Sequence, residues 1–384
     1  VWAGAMSKPL PIEPGKTYML TRRCAGRHRW LTPGSKLNNL FRYLFAVGAA
    51  QFGLQVHALV VMSTHYHAIV TDPEGRIPAF EQWLHSLLAR AVNQLRERTD
   101  TFWGGRRGGR QVIADAPALR DALVYVWNNP TKAGLVRCGK HWPGVRTTPH
   151  QMLAGVGIRD AKIIERPEGF FDEGGSMPET VEFALVVPAM LMEQHELWCP
   201  TAGEGSGGRD GAKLPPRGAT AHGGSGETGA GKPEAATKKL ACRIVEKLNE
   251  LVREAEDRVA AAFREAGRRF VGARSVEHQS PNVTSKTPEE HGAKRVRIPI
   301  FLTSSREMRA ELLAQLGDWR ARYRAARKAL GVYLAKMARG DEPDVGGVED
   351  QEKAQAGEAG PPVFPWGTYK LRLRFGVACE SPSS

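Results

Sequence analysis

The chain has 384 residues, 41% of them hydrophobic, and carries 54 lysines and arginines against 41 aspartates and glutamates, a formal net charge of +13. That length exceeds one ordinary domain and excludes a small disulfide-stapled scaffold, while the positive balance favours a polyanionic partner whose phosphates basic side chains neutralise. The five cysteines, Cys24, Cys138, Cys199, Cys242 and Cys379, form no Cys-x-x-Cys pair, which argues against a structural zinc site and for reduced thiols of a cytoplasmic protein.

In chain order, residues 16–24 read as a short strand, and Gly34-Ser35 opens a helix to about Gln51. Residues 54–62, rich in valine and leucine, form a second strand, and residues 65–71 a third after a very short break, which makes a hairpin. Residues 72–75 are a turn, after which Ile77, Phe80, Leu84, Leu87, Leu88, Ala91 and Leu95 recur at helical spacing up to Arg98. A glycine and arginine stretch, residues 104–110, leads into a short strand at 111–114. Asp115 as N-cap and Pro117 in the first turn then start a helix that Pro130 is expected to end. Strand, helix, strand, strand, helix, strand, helix is an α+β order, a ferredoxin-like antiparallel sheet with one extra helix.

Residues 201–233 are dominated by glycine, a composition that buries too little apolar area to repay its ordering entropy, and are expected to be a flexible linker. Residues 235–270 and 307–337 alternate charges on a helical period, the second with many arginines. Residues 341–360 are acidic, and residues 363–374 form an aromatic, basic, proline-broken strand. The expected division is therefore 11–155 as a first domain, 156–200 as an extension, 201–234 as linker, and 235–384 as a basic, mainly helical region. The most apolar late segment, residues 181–192, is interrupted by Glu182 and Pro188, so no membrane span is expected.

The chemistry concentrates in Met62-Ser63-Thr64-His65-Tyr66-His67. Strand side chains alternate faces, so His65 and His67 share one face, where two imidazoles can hold a divalent metal, while Tyr66 points to the other. Two half-exposed strand histidines are the plainer reading of the pair alone. Tyr125 and Asn129 lie four apart on one helix face, so a tyrosine oxygen able to attack a phosphodiester and an amide oxygen able to complete a metal site come together. A core aromatic at Tyr125 and a C-terminal cap at Asn129 are the alternatives. Tyr66 is a rival nucleophile by identity.

The run Val56-His57-Ala58-Leu59-Val60-Val61-Met62-Ser63-Thr64-His65-Tyr66-His67, followed by Tyr125-Val126-Trp127-Asn128-Asn129-Pro130-Thr131-Lys132-Ala133-Gly134-Leu135-Val136, resembles the single-tyrosine HUH transposases, especially the REP-associated tyrosine transposases. The resemblance covers roughly residues 11–151. It implies the HUH endonuclease fold, a ferredoxin-like one, with His65, His67 and Asn129 as ligands of Mg²⁺ or Mn²⁺. It also implies Tyr125 as the nucleophile that cleaves single-stranded DNA and keeps the 5′-phosphate. Thr64 stands where that family usually has asparagine. Two imidazoles and an amide leave positions for water and phosphate oxygens, which suits a labile Mg²⁺ or Mn²⁺ site better than a closed zinc site.

Arg22, Arg23, Arg106 and Arg107 are further candidates for contact with DNA. Phe102 and Trp103 are either base-stacking residues or a hydrophobic contact closing the preceding helix. The expected function is that of a DNA transposase acting on single strands, with hairpin or repeat ends and a homodimer as open options and the nucleoid as its place. A catalytically idle DNA- or RNA-binding derivative and a replication or relaxase-type nickase are the alternatives.

Overall fold

The computed structural model describes residues 10–104, 109–170, 177–197, 231–285, 299–339 and Phe364. Most of the expected linker, the acidic segment 341–360, the terminal strand apart from Phe364, and Arg106, Arg107, Cys199 and Cys379 lie outside the described residues.

β1 (Lys16–Arg23), α1 (Ser35–Gln51), β2 (Gln55–Met62), β3 (His65–Asp72), α2 (Ile77–Leu95) and β4 (Gly109–Ile113) follow the expected order. They build an antiparallel sheet ordered β2-β3-β1-β4, the ferredoxin-like arrangement, so the protein is α+β. The alternation in β3 decides the two faces. Tyr66 packs its ring edge-on against Phe41 and Phe45 of α1, which places α1 and its neighbour α2 on one face. α3 (Ala116–Lys132) covers the other, against β2 and β3. α1 and α2 approach closely because Gly48 has no side chain: a Cβ there would lie 2.9 Å from the Phe80 ring. The Asp72 carboxylate ends β3 by accepting from the amides of Arg76 and Ile77 at 2.9 and 2.8 Å, so one buried residue closes a strand and holds the first turn of α2.

α3 departs from its expected end. Asp115 caps it as expected, accepting from Ala118 N–H at 2.8 Å, but Pro130 lies inside the helix, which runs on to Lys132. A proline removes one ladder donor and crowds the preceding turn. In that turn Arg146 Nε donates to the Trp127 carbonyl at 2.8 Å, a side-chain bond to a carbonyl beside the break. The helix then closes at Gly134, whose φ of 72° allows Gly134 N–H to reach Thr131 O at 2.9 Å and Leu135 N–H to reach Pro130 O at 3.0 Å. Asn129 is therefore an interior helix residue and not a cap.

Beyond α3 come a small hairpin of β5 (Lys162–Glu165) and β6 (Thr180–Phe183), then α4 (Ala189–Glu193), α5 (Gly231–Glu265), α6 (Ala273–Glu277), β7 (Phe301–Leu302) and α7 (Arg306–Ala338). The sequence pattern missed β5, β6 and β7. It also set α5 apart from the first domain, whereas Ala241, Ile244, Val245, Leu248 and Val252 recur at helical spacing and join the same buried core as the sheet. They pack on α3 and on the 3₁₀ turn Pro149–Val156, and burial of each larger side chain is worth about 1.5–3 kcal/mol. Asn128 donates to the Val252 carbonyl at 3.3 Å, and a Cβ on Gly134 would meet the Phe263 ring at 2.7 Å. β7 pairs parallel to β4 and extends the sheet to five strands. No helix among the described residues is long and apolar enough to cross a membrane.

Candidate active site

Register positions the site. β1 runs antiparallel to β3 with Thr21 opposite His67, Arg22 opposite Tyr66 and Arg23 opposite His65. Directly opposed residues share a face, so Thr21 and Arg23 stand with the histidines while Arg22 stands with Tyr66 on the α1 and α2 side. The turn between β2 and β3 is fixed by backbone bonds from Leu31 N–H to Ser63 O at 3.0 Å and from Cys24 N–H to Thr64 O at 2.8 Å. His65 therefore leaves a rigid turn.

The two imidazoles lie with ring centroids 4.8 Å apart and planes at 89°. Thr21 Oγ1 is 2.7 Å from His67 Nδ1, and Thr64 Oγ1 is 2.9 Å from His65 Nδ1. Burial, helped by the nearby Arg23, pushes His67 down to about 3. Burial, with His67, Arg23 and Arg27 adding to it, holds His65 well below the ordinary histidine value. Both rings are thus neutral near pH 7, the state in which an imidazole nitrogen has a lone pair to give a metal.

α3 brings the tyrosine. The Tyr125 ring packs at 5.6 Å and 77° against the His67 ring and stays 37% exposed, and Lys132 Nζ, two helical turns on, lies 5.0 Å from its centroid. Asn129 sits one turn beyond Tyr125 on the same stripe of the helix and is buried. Arg23 and Arg27 supply positive charge close to His65, and Arg23 also interacts with Tyr125. The face therefore combines a half-open phenol, two neutral imidazoles and three cations, with the buried Asn129 one turn along the same helix. Among the described residues no group of three or more histidines, cysteines, aspartates and glutamates could hold a metal.

The chain is similar to two solved transposase structures. One is the REP-associated tyrosine transposase bound to a REP hairpin, at 17% identity, 46% coverage of this chain, 98% of that one and a TM-score of 0.34. The other is a protein assigned as a transposase from Deinococcus radiodurans R1, at 21% identity, with 32% and 97% of the two chains covered and a TM-score of 0.23. No protein-family model and no curated protein matches the chain.

Of the candidates drawn from the sequence, His65, His67, Tyr125, Asn129 and Arg23 belong to elements that meet on one face. Arg22 does not: its guanidinium carbon lies 5.9 Å from the Trp103 ring on the opposite face. Phe102 and Trp103 are 2% and 7% exposed, with Phe102 against Trp30 and Trp103 Nε1 donating to the His85 carbonyl at 2.8 Å. They close the core and offer no open face to a base. The bridge between Trp103 and Cys24, which seats that segment against the end of β1, is a long-range pairing no local pattern announces. Tyr66 is fully buried with its hydroxyl 2.7 Å from His85 Nε2, and burial followed by the nearby Glu81 raises it well above the ordinary phenol value. Sequence reasoning missed Thr21, Arg27 and Lys132. Lys132 was within reach as the i+7 neighbour of Tyr125; Arg27 arrives through a left-handed turn, with φ of 56° at Gly26 and 59° at Arg27.

Proposed function

We propose that the chain is a DNA transposase that nicks and rejoins single-stranded DNA by transesterification on Tyr125, assisted by Mg²⁺ or Mn²⁺. The observation that carries this reading is the pairing of Tyr125 with His67 at 5.6 Å on an open face, while Tyr66 is sealed in the core. In the forward step the Tyr125 oxygen bonds to the scissile phosphorus as the bond to the 3′ oxygen breaks. The phenol proton passes to solvent, the departing oxygen takes up a proton as a free 3′-OH, and the 5′-phosphate stays on Tyr125. Rejoining reverses the exchange, with a 3′-OH attacking the phosphotyrosine and returning the phenol.

His65 and His67, with Asn129, would hold the metal, and the neutral state of both imidazoles leaves each a nitrogen lone pair to offer it. A bound ion would supply Lewis-acid charge to the scissile phosphate. Arg23, Arg27 and Lys132 add positive charge where the DNA backbone is to lie, and the net charge of +13 suits the same partner.

The test is to incubate the full chain with labelled single-stranded oligonucleotides, hairpin-forming ones included, from the DNA flanking its own gene. With Mn²⁺ present, a covalent adduct is expected on a denaturing gel, absent with excess EDTA. Binding without an adduct on any such strand would make the chain an idle binding derivative.

A further inference from the structure

Both histidines are held at Nδ1 by a threonine hydroxyl, and the two threonines come from different elements. Thr21 reaches His67 across the β1 to β3 pairing, at 2.7 Å. Thr64 reaches His65 from the preceding turn, at 2.9 Å, and its own backbone carbonyl is fixed by Cys24 N–H. Arg23 Nη1 donates to the same Thr64 Oγ1 at 3.5 Å and so occupies one of its two lone pairs. Thr64 is buried.

A neutral imidazole carries one proton. If Nδ1 bears it and donates to a hydroxyl oxygen, Nε2 keeps a lone pair for a metal; if Nε2 bears it, that nitrogen is closed to a metal until the tautomer changes. A hydroxyl fixed beside Nδ1 holds the ring orientation whichever way the proton lies, and when it accepts from Nδ1–H it plays the part that carboxylates and carbonyls play for metal-bound histidines elsewhere. We infer that Thr21 and Thr64 are positioning residues that accept from Nδ1–H of His67 and His65 and aim both Nε2 atoms at one shared divalent cation. The inference rests on the metal-assisted reading above and adds which nitrogens bind and what sets them.

Three properties of the geometry favour it. The hydroxyls are the only side-chain oxygens in hydrogen-bond contact with the two rings among the described residues, so the same small group does the same task twice. The rings meet nearly at right angles, 89°, a disposition in which two nitrogens can converge on one point. And among the described residues no carboxylate oxygen is in hydrogen-bond contact with either ring.

The experiment uses the full chain and four variants, Thr21→Val, Thr21→Ser, Thr64→Val and Thr64→Ser. Valine matches threonine in shape but has no oxygen, and serine keeps the oxygen. Long-range ¹H–¹⁵N spectra of the imidazoles, recorded without metal, are expected to show His65 and His67 protonated at Nδ1. Thr21→Val should move the His67 signals toward the Nε2-protonated form, and Thr64→Val those of His65. Calorimetry with Mn²⁺ should show affinity weaker by about 10–100-fold in each valine variant and restored in each serine variant, with thermal melts confirming that all four fold. If a valine variant fails to fold, its serine partner and the parent spectra still decide the tautomer. Nε2–H in the parent, or valine variants that bind Mn²⁺ as the parent does, overturns the inference alone. A parent that binds no Mn²⁺ overturns the metal-assisted reading and the inference with it.

Discussion

Arg146 and Glu256 face each other at 3.9 Å with side chains only 8% and 12% exposed, joining the segment behind the site to α5. Glu256 Oε1 also accepts from Gly139 N–H at 2.7 Å, and Arg146 Nε donates to the Trp127 carbonyl two residues after Tyr125. The pair therefore ties α5 to the helix that carries the nucleophile. Removing one member leaves the other charge buried without its counterpart, which costs about 3 kcal/mol or more. Glu256→Ala is expected to lower the unfolding free energy measured by urea titration by that amount, and Arg146→Met, which removes the other charge but also the Trp127 bond, to do the same. Neither change is expected if α5 is an independent, loosely tethered helix.

The same docking predicts that a chain cut after Met192 loses stability. Ala241, Ile244, Val245, Leu248 and Val252 cover apolar surface of α3, and Phe263 closes Gly134. Without them that surface meets water, so the truncated chain should bind a hydrophobic dye or aggregate and melt well below the parent. A cooperative melt within a few degrees of the parent would show that residues 11–192 hold their own core.

Tyr125→Phe and Tyr66→Phe separate chemistry from packing. The first removes a hydroxyl from a 37% exposed ring, and is expected to abolish the covalent DNA adduct with an unchanged melt. The second strips the partner from His85 in a buried contact, and is expected to keep the adduct while costing about 1–2 kcal/mol. An adduct lost in Tyr66→Phe and kept in Tyr125→Phe would reverse the assignment.

The features legible in the sequence were those a short window encodes. Alternation set His65 and His67 on one face and Tyr66 on the other, and a four-residue step set Tyr125 beside Asn129. The strand order followed from element order. What escaped depends on partners far along the chain. Pro130 obeys no local stop because Arg146, Gly134 and α5 hold the helix through it. Phe102 and Trp103 look like open aromatics until the pairing of Trp103 with Cys24 seats them in the core. The charged period of α5 hides an apolar stripe that only its docking on α3 and the turn Pro149–Val156 explains.

The placement of cations yields a salt-dependence prediction. Each phosphate contact on a single strand contributes about 0.7 to the slope of log affinity against log salt. Arg27→Gln and Lys132→Gln, on the histidine and tyrosine face, should each weaken oligonucleotide binding and reduce the slope by about that amount. Arg22→Gln, on the opposite face, should leave the slope as it is. A reduced slope in Arg22→Gln with unchanged slopes in the other two would move the DNA path to the α1 and α2 side.

His57 gives the protein a defined acid sensitivity away from the site. It is fully buried on β2, with Nδ1 2.8 Å from the Val186 carbonyl and Nε2 2.8 Å from Thr71 Oγ1, and burial pushes it down to about 4. The carbonyl can only accept, so Nδ1 carries the proton and Nε2 accepts from Thr71; a second proton has to displace that bond. Because the folded value lies below the ordinary one near 6.5, the unfolded chain binds the extra proton first as pH falls. The stabilisation is fully present above about pH 6.5 and is lost as pH drops toward 4, at up to about 1.4 kcal/mol per pH unit for this one group. His67 and His85, both pushed down to about 3 chiefly by burial, add losses of the same sign. His57→Gln keeps a donor and an acceptor but cannot take a proton, so its stability at pH 7 should be somewhat lower than the parent's and should fall less between pH 6.5 and pH 5, by about 1.5 kcal/mol. Urea titrations of both chains at the two pH values measure the difference, and parallel losses would mean that His57 is already free to ionise in the folded protein.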